Sequence, residues 1–131
     1  MIRILIVDDH ASIRDSFRSA FEQYDDLKVV GSVADAAFAL FFCRDKQPDL
    51  VLMDICTAGG TSGLAATEKI KEAFPAIKVV VMTGFDEVTY MPRAKACGAD
   101  AFVEKGQSMT FFIQVIRDVI CLLYTSPSPR D

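Results

Sequence analysis

The sequence predicts an α/β fold in which helices cover both faces of a parallel β-sheet. Five short apolar runs alternate with longer segments whose apolar residues recur at helical spacing. Most of the runs are apolar at successive positions, which is typical of strands buried on both faces of a parallel sheet. Because crossovers between parallel strands are right-handed almost without exception, the alternation predicts an open, doubly wound sheet.

The predicted strands and helices follow one another along the whole chain. The strands are expected at 4–7, 27–30, 50–53, 79–82 and 101–103. Apolar positions define four helical faces: Ile13, Phe17, Ala20, Phe21 and Tyr24; Val33, Ala37, Leu40 and Phe41; Ala66, Ile70, Ala73 and Phe74; Phe112, Ile116, Val119 and Ile120. A weaker helical pattern covers about 87–97, so five helices are expected.

Capping residues suggest where these helices begin and end. Ser32 and Ser108 precede the second and fifth helical patterns and are expected as N-caps. Pro75 ends the third pattern, and Gly98 is placed as the C-terminal cap of the fourth.

Composition excludes several classes of protein. The chain has 131 residues and a formal net charge of −4, which suits one domain and disfavours direct nucleic-acid binding. No apolar run approaches the roughly 18 residues of a membrane-spanning helix. The four cysteines lack the C-x-x-C spacing of zinc or redox motifs, so we expect reduced thiols in a cytoplasmic protein.

Polar side chains stand just after the ends of four of the predicted strands. They are Asp8, Asp9, Asp54, Thr83 and Lys105. Each aspartate alone has an ordinary explanation, since aspartates often cap helices. The carboxyl ends of parallel strands share one edge of the sheet, where ligands bind in this class of fold. The coincidence therefore favours a functional site.

The chemistry of these residues suggests phosphoryl acceptance with a metal ion. Three close carboxylates repel one another, and Mg²⁺ with oxygen ligands relieves that repulsion. Lys105 and Thr83 suit phosphoryl oxygens as a point charge and a hydroxyl donor. Asp54 stands alone after a central strand and suits the nucleophile, whereas the adjacent Asp8 and Asp9 suit the metal.

Longer motifs carry a resemblance to a known family. The segment 48–54 ending in Asp54 and the segment 96–105 ending in a lysine match its two most recognisable stretches, and Asp8-Asp9-His10 with Ile13-Arg14 is similar to the opening of one of its subfamilies. With them the sequence resembles the receiver domain of bacterial two-component response regulators, NarL/LuxR-type subfamily, over residues 2–120. The resemblance implies a flavodoxin-like receiver fold with strand order 2-1-3-4-5.

The resemblance also implies roles for individual residues. Asp54 would accept a phosphoryl group from the phosphohistidine of a sensor histidine kinase. Asp9 would bind Mg²⁺ directly, Asp8 largely through water, and Cys56 through its backbone carbonyl. The protein would be a signalling phosphoacceptor and not an enzyme acting on other substrates.

A switch is implied as well. Thr83 and Lys105 would contact the phosphoryl oxygens, and Phe102 would follow Thr83, remodelling the face of the fourth helix, fifth strand and fifth helix. That face, or another receiver surface, would form a homodimer. The output would be transcriptional, through a DNA-binding domain that this chain lacks.

Two segments depart from the family pattern. Thr57-Ala58 replace the usual Met-Pro, and Gly63 lies nine positions after Asp54 where eight is common. The glycine-rich segment 57–63 is therefore expected to be longer and more mobile, which affects phosphoryl lifetime. Gly106 stands where many receivers have proline.

The sequence divides at the end of the fifth helix. Residues 1–120 form the expected receiver domain. Residues 121–131 resemble translated sequencing-adapter sequence, and a natural Ser/Pro linker is the alternative. In either case we expect this tail to be disordered and the output domain to be absent.

Two other functions use the same residues. A phosphorylation-independent interaction module on this fold is suggested by the altered segment after Asp54. A hydrolase of the haloacid-dehalogenase type also uses an aspartate with Mg²⁺, but it requires a second Asp where this chain has Cys56. His10 is interpreted as a loop or helix-start residue, and Phe38, Phe41 and Phe42 as packing or a partner surface.

Overall fold

The computed structural model describes residues 1–55, 57, 60–84 and 96–121. The elements are β1 (Ile2–Val7), α1 (Ala11–Phe21), β2 (Leu27–Val33), a short 3₁₀ helix (Ala36–Phe38), α2 (Ala39–Lys46), β3 (Leu50–Asp54), α3 (Gly63–Ala73), β4 (Lys78–Thr83), β5 (Ala101–Glu104) and α4 (Met109–Ile120). The α/β prediction is confirmed. The expected helix at 87–97 falls mostly outside the described residues, so α4 is the helix predicted as the fifth.

All five strands form one parallel sheet. Their order is β2-β1-β3-β4-β5, which confirms the order that the resemblance implied. Val7 pairs with Met53, and Asp54 pairs with Met82. The three central strands therefore end almost level with one another, and the residues at their carboxyl ends lie side by side.

The three central strands of the sheet are buried on both faces, as the continuous apolar runs predicted. On β1, Ile4 and Ile6 pack in a cluster with α1 and α4, whereas Leu5 and Val7 pack in a second cluster with α2 and α3. Side chains alternate between the two faces of a strand, so a strand covered on both sides must be apolar at every position. Among the described residues, no helix combines the length and apolar composition that crossing a bilayer requires.

The start of the second helix differs from the prediction. Ser32 does not cap a helix, because it lies in β2 and pairs with Ile6. A register irregularity between Ile4 and Leu5 accompanies the longer β2, which continues to the end of β1. The helical segment begins later, where the carboxylate of Asp35 accepts a hydrogen bond of 2.9 Å from the Ala37 N–H.

The end of the first helix also differs. Tyr24 was expected on its apolar face, but α1 ends at Phe21 and Tyr24 lies in the following turn.

The predicted N-cap Ser108 is confirmed, since its hydroxyl accepts a hydrogen bond of 3.1 Å from the Phe111 N–H. Gly98 has φ +89°, the left-handed conformation that its predicted cap position requires.

Candidate functional site

Two buried aspartates stand at the carboxyl edge of the sheet. Asp54 is the last residue of β3 and is 3% exposed, and Asp8 follows β1 directly and is 0% exposed. Burying an ionised carboxylate is costly unless opposite charge lies nearby. The sequence folds this way because apolar strands carry each aspartate to the rim of the core.

Lys105 supplies the opposite charge from the first residue after β5. Its Nζ lies 3.1 Å from Asp54 Oδ1 and 3.1 Å from Asp8 Oδ2. The backbone N–H of Lys105 donates a 2.7 Å hydrogen bond to the Thr83 carbonyl, which fixes the Lys105 backbone beside β4. Burial alone would lower the pKa of this ammonium, but the contact with Asp8 and the charge of Asp54 outweigh it and raise the pKa.

Asp9 and His10 complete the cluster on its solvent side. His10 Nδ1 lies 2.9 Å from Asp8 Oδ1 and 3.2 Å from Asp9 Oδ1. Oδ1 of Asp9 is buried and makes no hydrogen bond within the described part of the chain. The ligand atoms of Asp8, Asp9, His10 and Asp54 all lie within 4.8 Å of one another.

The charges of this cluster fit a divalent cation. Three carboxylates face the single ammonium of Lys105, which leaves two negative charges when His10 is counted as neutral. Carboxylate oxygens are ligands that Mg²⁺ accepts, and a dication balances the remaining charge. The donor set is therefore compatible with Mg²⁺. Cys56, whose carbonyl was expected as a further ligand, lies outside the described residues.

Thr83 and Phe102 lie on the same face of adjacent strands. Thr83 ends β4 and is buried, and Phe102 pairs with Val81 in the register of β4 and β5. Because side chains alternate along a strand, Val81 and Thr83 share a face, and Phe102 packs in the cluster on that face with Val81. Phe102 is only partly buried.

The segment after Asp54 is anchored at its described residues. The Thr57 hydroxyl accepts a hydrogen bond of 3.1 Å from the Ala36 N–H and donates one of 3.4 Å to the Thr61 carbonyl. Gly63, at the start of α3, donates its N–H to the Ile55 carbonyl at 2.8 Å. The segment is thereby tied to the 3₁₀ helix on one side and to the end of β3 on the other.

Sequence reasoning missed two contributors to this site. The sequence indicates a loop or helix-start residue at His10, and it does precede α1, but its imidazole also contacts Asp8 and Asp9. Arg14 donates a 2.7 Å hydrogen bond from Nη1 to the Asp8 carbonyl and so fixes the turn. One signal was available: an arginine four residues after His10 lies one helical turn away and can reach back to the strand end.

Comparisons with known proteins show the family to which the chain belongs. Residues 4–117 match the family of the response regulator receiver domain. The oxygen regulatory protein NreC of Staphylococcus carnosus is 35% identical over 118 residues, which are 90% of this chain and 54% of that protein. The chain thus spans about half the length of the curated relatives it matches.

Solved structures show the same fold. A LuxR-family two-component response regulator from Aurantimonas sp. has a TM-score of 0.84 at 29% identity, covering 92% of this chain and 86% of that one. The response regulator domain of Thermotoga maritima CheB has a TM-score of 0.83 at 25% identity, with 97% and 99% covered. The chain belongs to the response regulator receiver domain family, and its resemblance to the NarL/LuxR type is confirmed.

Proposed function

We propose that Asp54 accepts a phosphoryl group from the phosphohistidine of a sensor histidine kinase, in the presence of Mg²⁺. The observation that carries the proposal is the position of Lys105, whose Nζ lies 3.1 Å from both Asp54 Oδ1 and Asp8 Oδ2 at the carboxyl edge of the sheet. A lone buried carboxylate would be costly, whereas one beside an ammonium and a metal-binding pair is prepared to carry a phosphoryl group.

Each residue of the cluster has a distinct part in this transfer. A carboxylate oxygen of Asp54 attacks phosphorus in line as the bond to the histidine nitrogen breaks, which forms an aspartyl phosphate. Lys105 offsets charge on the phosphoryl oxygens, and the Thr83 hydroxyl donates a hydrogen bond to one of them. Asp8, Asp9 and Asp54, with the Cys56 carbonyl, would hold Mg²⁺, which supplies Lewis-acid stabilisation of phosphoryl charge.

Phosphorylation of Asp54 would be transmitted to the surface of the protein through Thr83 and Phe102. Their shared sheet face supports a mechanism in which Thr83 turns toward the phosphoryl group and Phe102 moves into the vacated space. The surface that changes would be that of β5, α4 and the residues preceding β5. A second copy of the chain or an output domain bound to this surface would respond to the change. We assign residues 1–120 to the receiver domain, with a transcriptional, DNA-binding output domain lying outside this chain.

Phosphorylation by a small phosphodonor tests the proposal directly. The protein incubated with a phosphoramidate and Mg²⁺ should gain one phosphoryl group by mass spectrometry, and chelation of Mg²⁺ should abolish the gain. Asp54→Asn should remain unlabelled. Asp45→Asn, which removes an exposed carboxylate on α2, is the matched control and should be labelled like the wild type.

Three results would contradict the proposal. Equal labelling of Asp54→Asn would place the acceptor elsewhere. Continuous turnover of small phosphate esters would indicate a hydrolase instead. Equal partner binding by the wild type with and without phosphodonor would favour an interaction module that does not depend on phosphorylation.

A further inference from the structure

We propose that His10 is itself a metal ligand, through Nδ1, and that it gives the site a preference for a first-row transition-metal dication over Mg²⁺. The inference rests on the proposed metal site and names the selectivity of that site. It concerns a side chain that has no role in the phosphoryl transfer proposed above.

The imidazole lies inside the cluster of ligand atoms. Its Nδ1 is 2.9 Å from Asp8 Oδ1 and 3.2 Å from Asp9 Oδ1, so one nitrogen approaches two carboxylate oxygens at once. With the Asp54 carboxylate, these atoms fall within 4.8 Å of one another. A single cation among these atoms would be coordinated by one nitrogen and three carboxylates.

The backbone holds His10 over the cluster. Its N–H donates a 2.8 Å hydrogen bond to Asp8 Oδ1, and its carbonyl accepts from the N–H groups of Ile13 and Arg14 at the start of α1. Arg14 fixes the Asp8 carbonyl in turn, at 2.7 Å. The backbone of His10 is therefore constrained on both sides, which keeps its imidazole beside the carboxylates of Asp8 and Asp9.

Access from solvent is also available. The His10 side chain is 58% exposed, whereas that of Asp8 is 0% exposed and that of Asp54 is 4% exposed. A cation would thus enter from the side of His10 and Asp9, with the buried carboxylates behind it.

The nitrogen changes which ions the site prefers. Carboxylate, carbonyl and water ligands suit Mg²⁺, Ca²⁺ and Mn²⁺, whereas imidazole suits zinc, copper, iron and nickel. Across mixed nitrogen and oxygen sites, affinity rises from Mn²⁺ through Co²⁺ and Ni²⁺ to Cu²⁺. In a ligand set of one imidazole and three carboxylates, the imidazole therefore increases the affinity for Co²⁺ more than the affinity for Mg²⁺.

Metal titrations of the wild type and of His10→Gln test the assignment, in protein carrying no histidine tag. We expect the wild type to bind Co²⁺ more tightly than Mg²⁺. His10→Gln should weaken Co²⁺ binding at least about tenfold, since loss of even an outer-shell partner of a metal ligand typically costs that much. Ala11→Gln places the same side chain at the next, exposed position and should leave the Kd for Co²⁺ unchanged.

A spectroscopic measurement identifies the ligand independently of folding effects in a variant. The chain contains one histidine, so imidazole coupling in pulsed EPR of the Mn²⁺-loaded wild type can arise only from His10. Bound Mn²⁺ without ¹⁴N coupling would overturn the inference, as would equal Kd values for Co²⁺ in the wild type and His10→Gln.

The two proposals fail in different ways. Labelling of Asp54 with Mg²⁺, together with the absence of imidazole coupling, would contradict the role of His10 and leave the phosphoacceptor function standing. Imidazole coupling in a protein that no phosphodonor labels would contradict the phosphoacceptor function alone.

Discussion

At the scale of single residues, Gly63 shows how closely the third helix approaches Asp54, the proposed phosphoryl acceptor. A methyl group at this position would overlap the backbone carbonyl oxygen of Asp54 and lie within 3.1 Å of the Met53 side chain. The atom in the way is backbone, which cannot move aside as a flexible side chain can. Gly63 therefore permits the start of α3 to rest against the end of β3.

Substitution of Gly63 by alanine should disturb both stability and the site. We expect Gly63→Ala to lower the free energy of unfolding by about 1–3 kcal/mol, as overpacking of a filled core does. It should also slow labelling of Asp54, because the overlap is with the backbone of that residue. Denaturant unfolding and phosphodonor labelling measure the two effects.

Gly106 offers the matched control. A Cβ there would meet nothing within 4 Å, so Gly106→Ala should change the free energy of unfolding by no more than about 0.5 kcal/mol. Equal stabilities of the two alanine variants would contradict the close approach of α3 to β3.

At the scale of elements, Lys71 joins three segments of the chain. Its Nζ on α3 donates hydrogen bonds to the carbonyls of Pro75 and Ile77, at 3.2 and 2.9 Å, and to Asp100 Oδ2 at 3.0 Å. The same carboxylate oxygen accepts a 2.8 Å bond from the Val79 N–H. One lysine and one aspartate thereby attach α3, the start of β4 and the residues before β5 to one another.

Removal of this ammonium should loosen all three segments. We expect Lys71→Met to lower the free energy of unfolding by about 1–3 kcal/mol, because it leaves partly buried acceptors without their donor. Amide hydrogen exchange should rise at Val79 and around Asp100. Lys69→Met makes the same substitution at an exposed position of the same helix and should have little effect. Equal destabilisation by both variants would contradict the joining role of Lys71.

The elements also show what a sequence can and cannot predict. Strands were placed to within three residues, because burial on both faces demands an apolar side chain at every position. Helix boundaries were less accurate. Ser32 is a good capping residue in isolation, yet pairing with Ile6 holds it in β2, and no local signal reports a partner more than twenty positions away.

The candidate site was also predictable only in part. The places of Asp54 and Lys105 at the carboxyl edge of the sheet were predictable because each stands at or just after the end of an apolar run. The contact of His10 with two carboxylates depends on a turn hydrogen bond to Asp8 Oδ1, which the order of residues does not reveal.

At the scale of the whole molecule, one surface ion pair connects the last helix to the far edge of the sheet. Arg117 on α4 donates two hydrogen bonds of 2.9 Å to the carboxylate of Asp26, which precedes β2 by one residue. The guanidinium also lies 5.2 Å from the centre of the Tyr24 ring. These residues bring the end of the described chain against its first quarter.

Because of the ion pair between Arg117 and Asp26, the free energy of unfolding depends on pH in the acid range. The hydrogen bonds from Arg117 lower the pKa of Asp26 below its ordinary value of 3.8, against a smaller opposing effect of desolvation. The folded state thus binds fewer protons there than the unfolded chain. The contribution is present above pH 3.8 and is lost as the pH falls through the lower pKa of the folded state.

The titration of Asp26 can be followed by NMR of its side-chain carboxyl carbon. Its midpoint should lie below 3.8 in the wild type and move upward in Arg117→Gln. Because exposed ion pairs stabilise little, the change in unfolding free energy at neutral pH should be small. Arg18→Gln, on the last turn of α1, is the control and should leave the midpoint in place. An unshifted midpoint in Arg117→Gln would contradict the pairing.

The position of Asp54 as the final residue of a central strand has a consequence for the choice of phosphodonor. Both neighbouring strands pair with β3, so Asp54, the proposed acceptor, is held in place and the phosphodonor must align itself with it. A rigid acceptor serves any donor that can bring its phosphorus to the same point. We therefore expect fidelity between one signalling pathway and another to depend on the outer surface of the protein, at residues that do not touch the phosphoryl group.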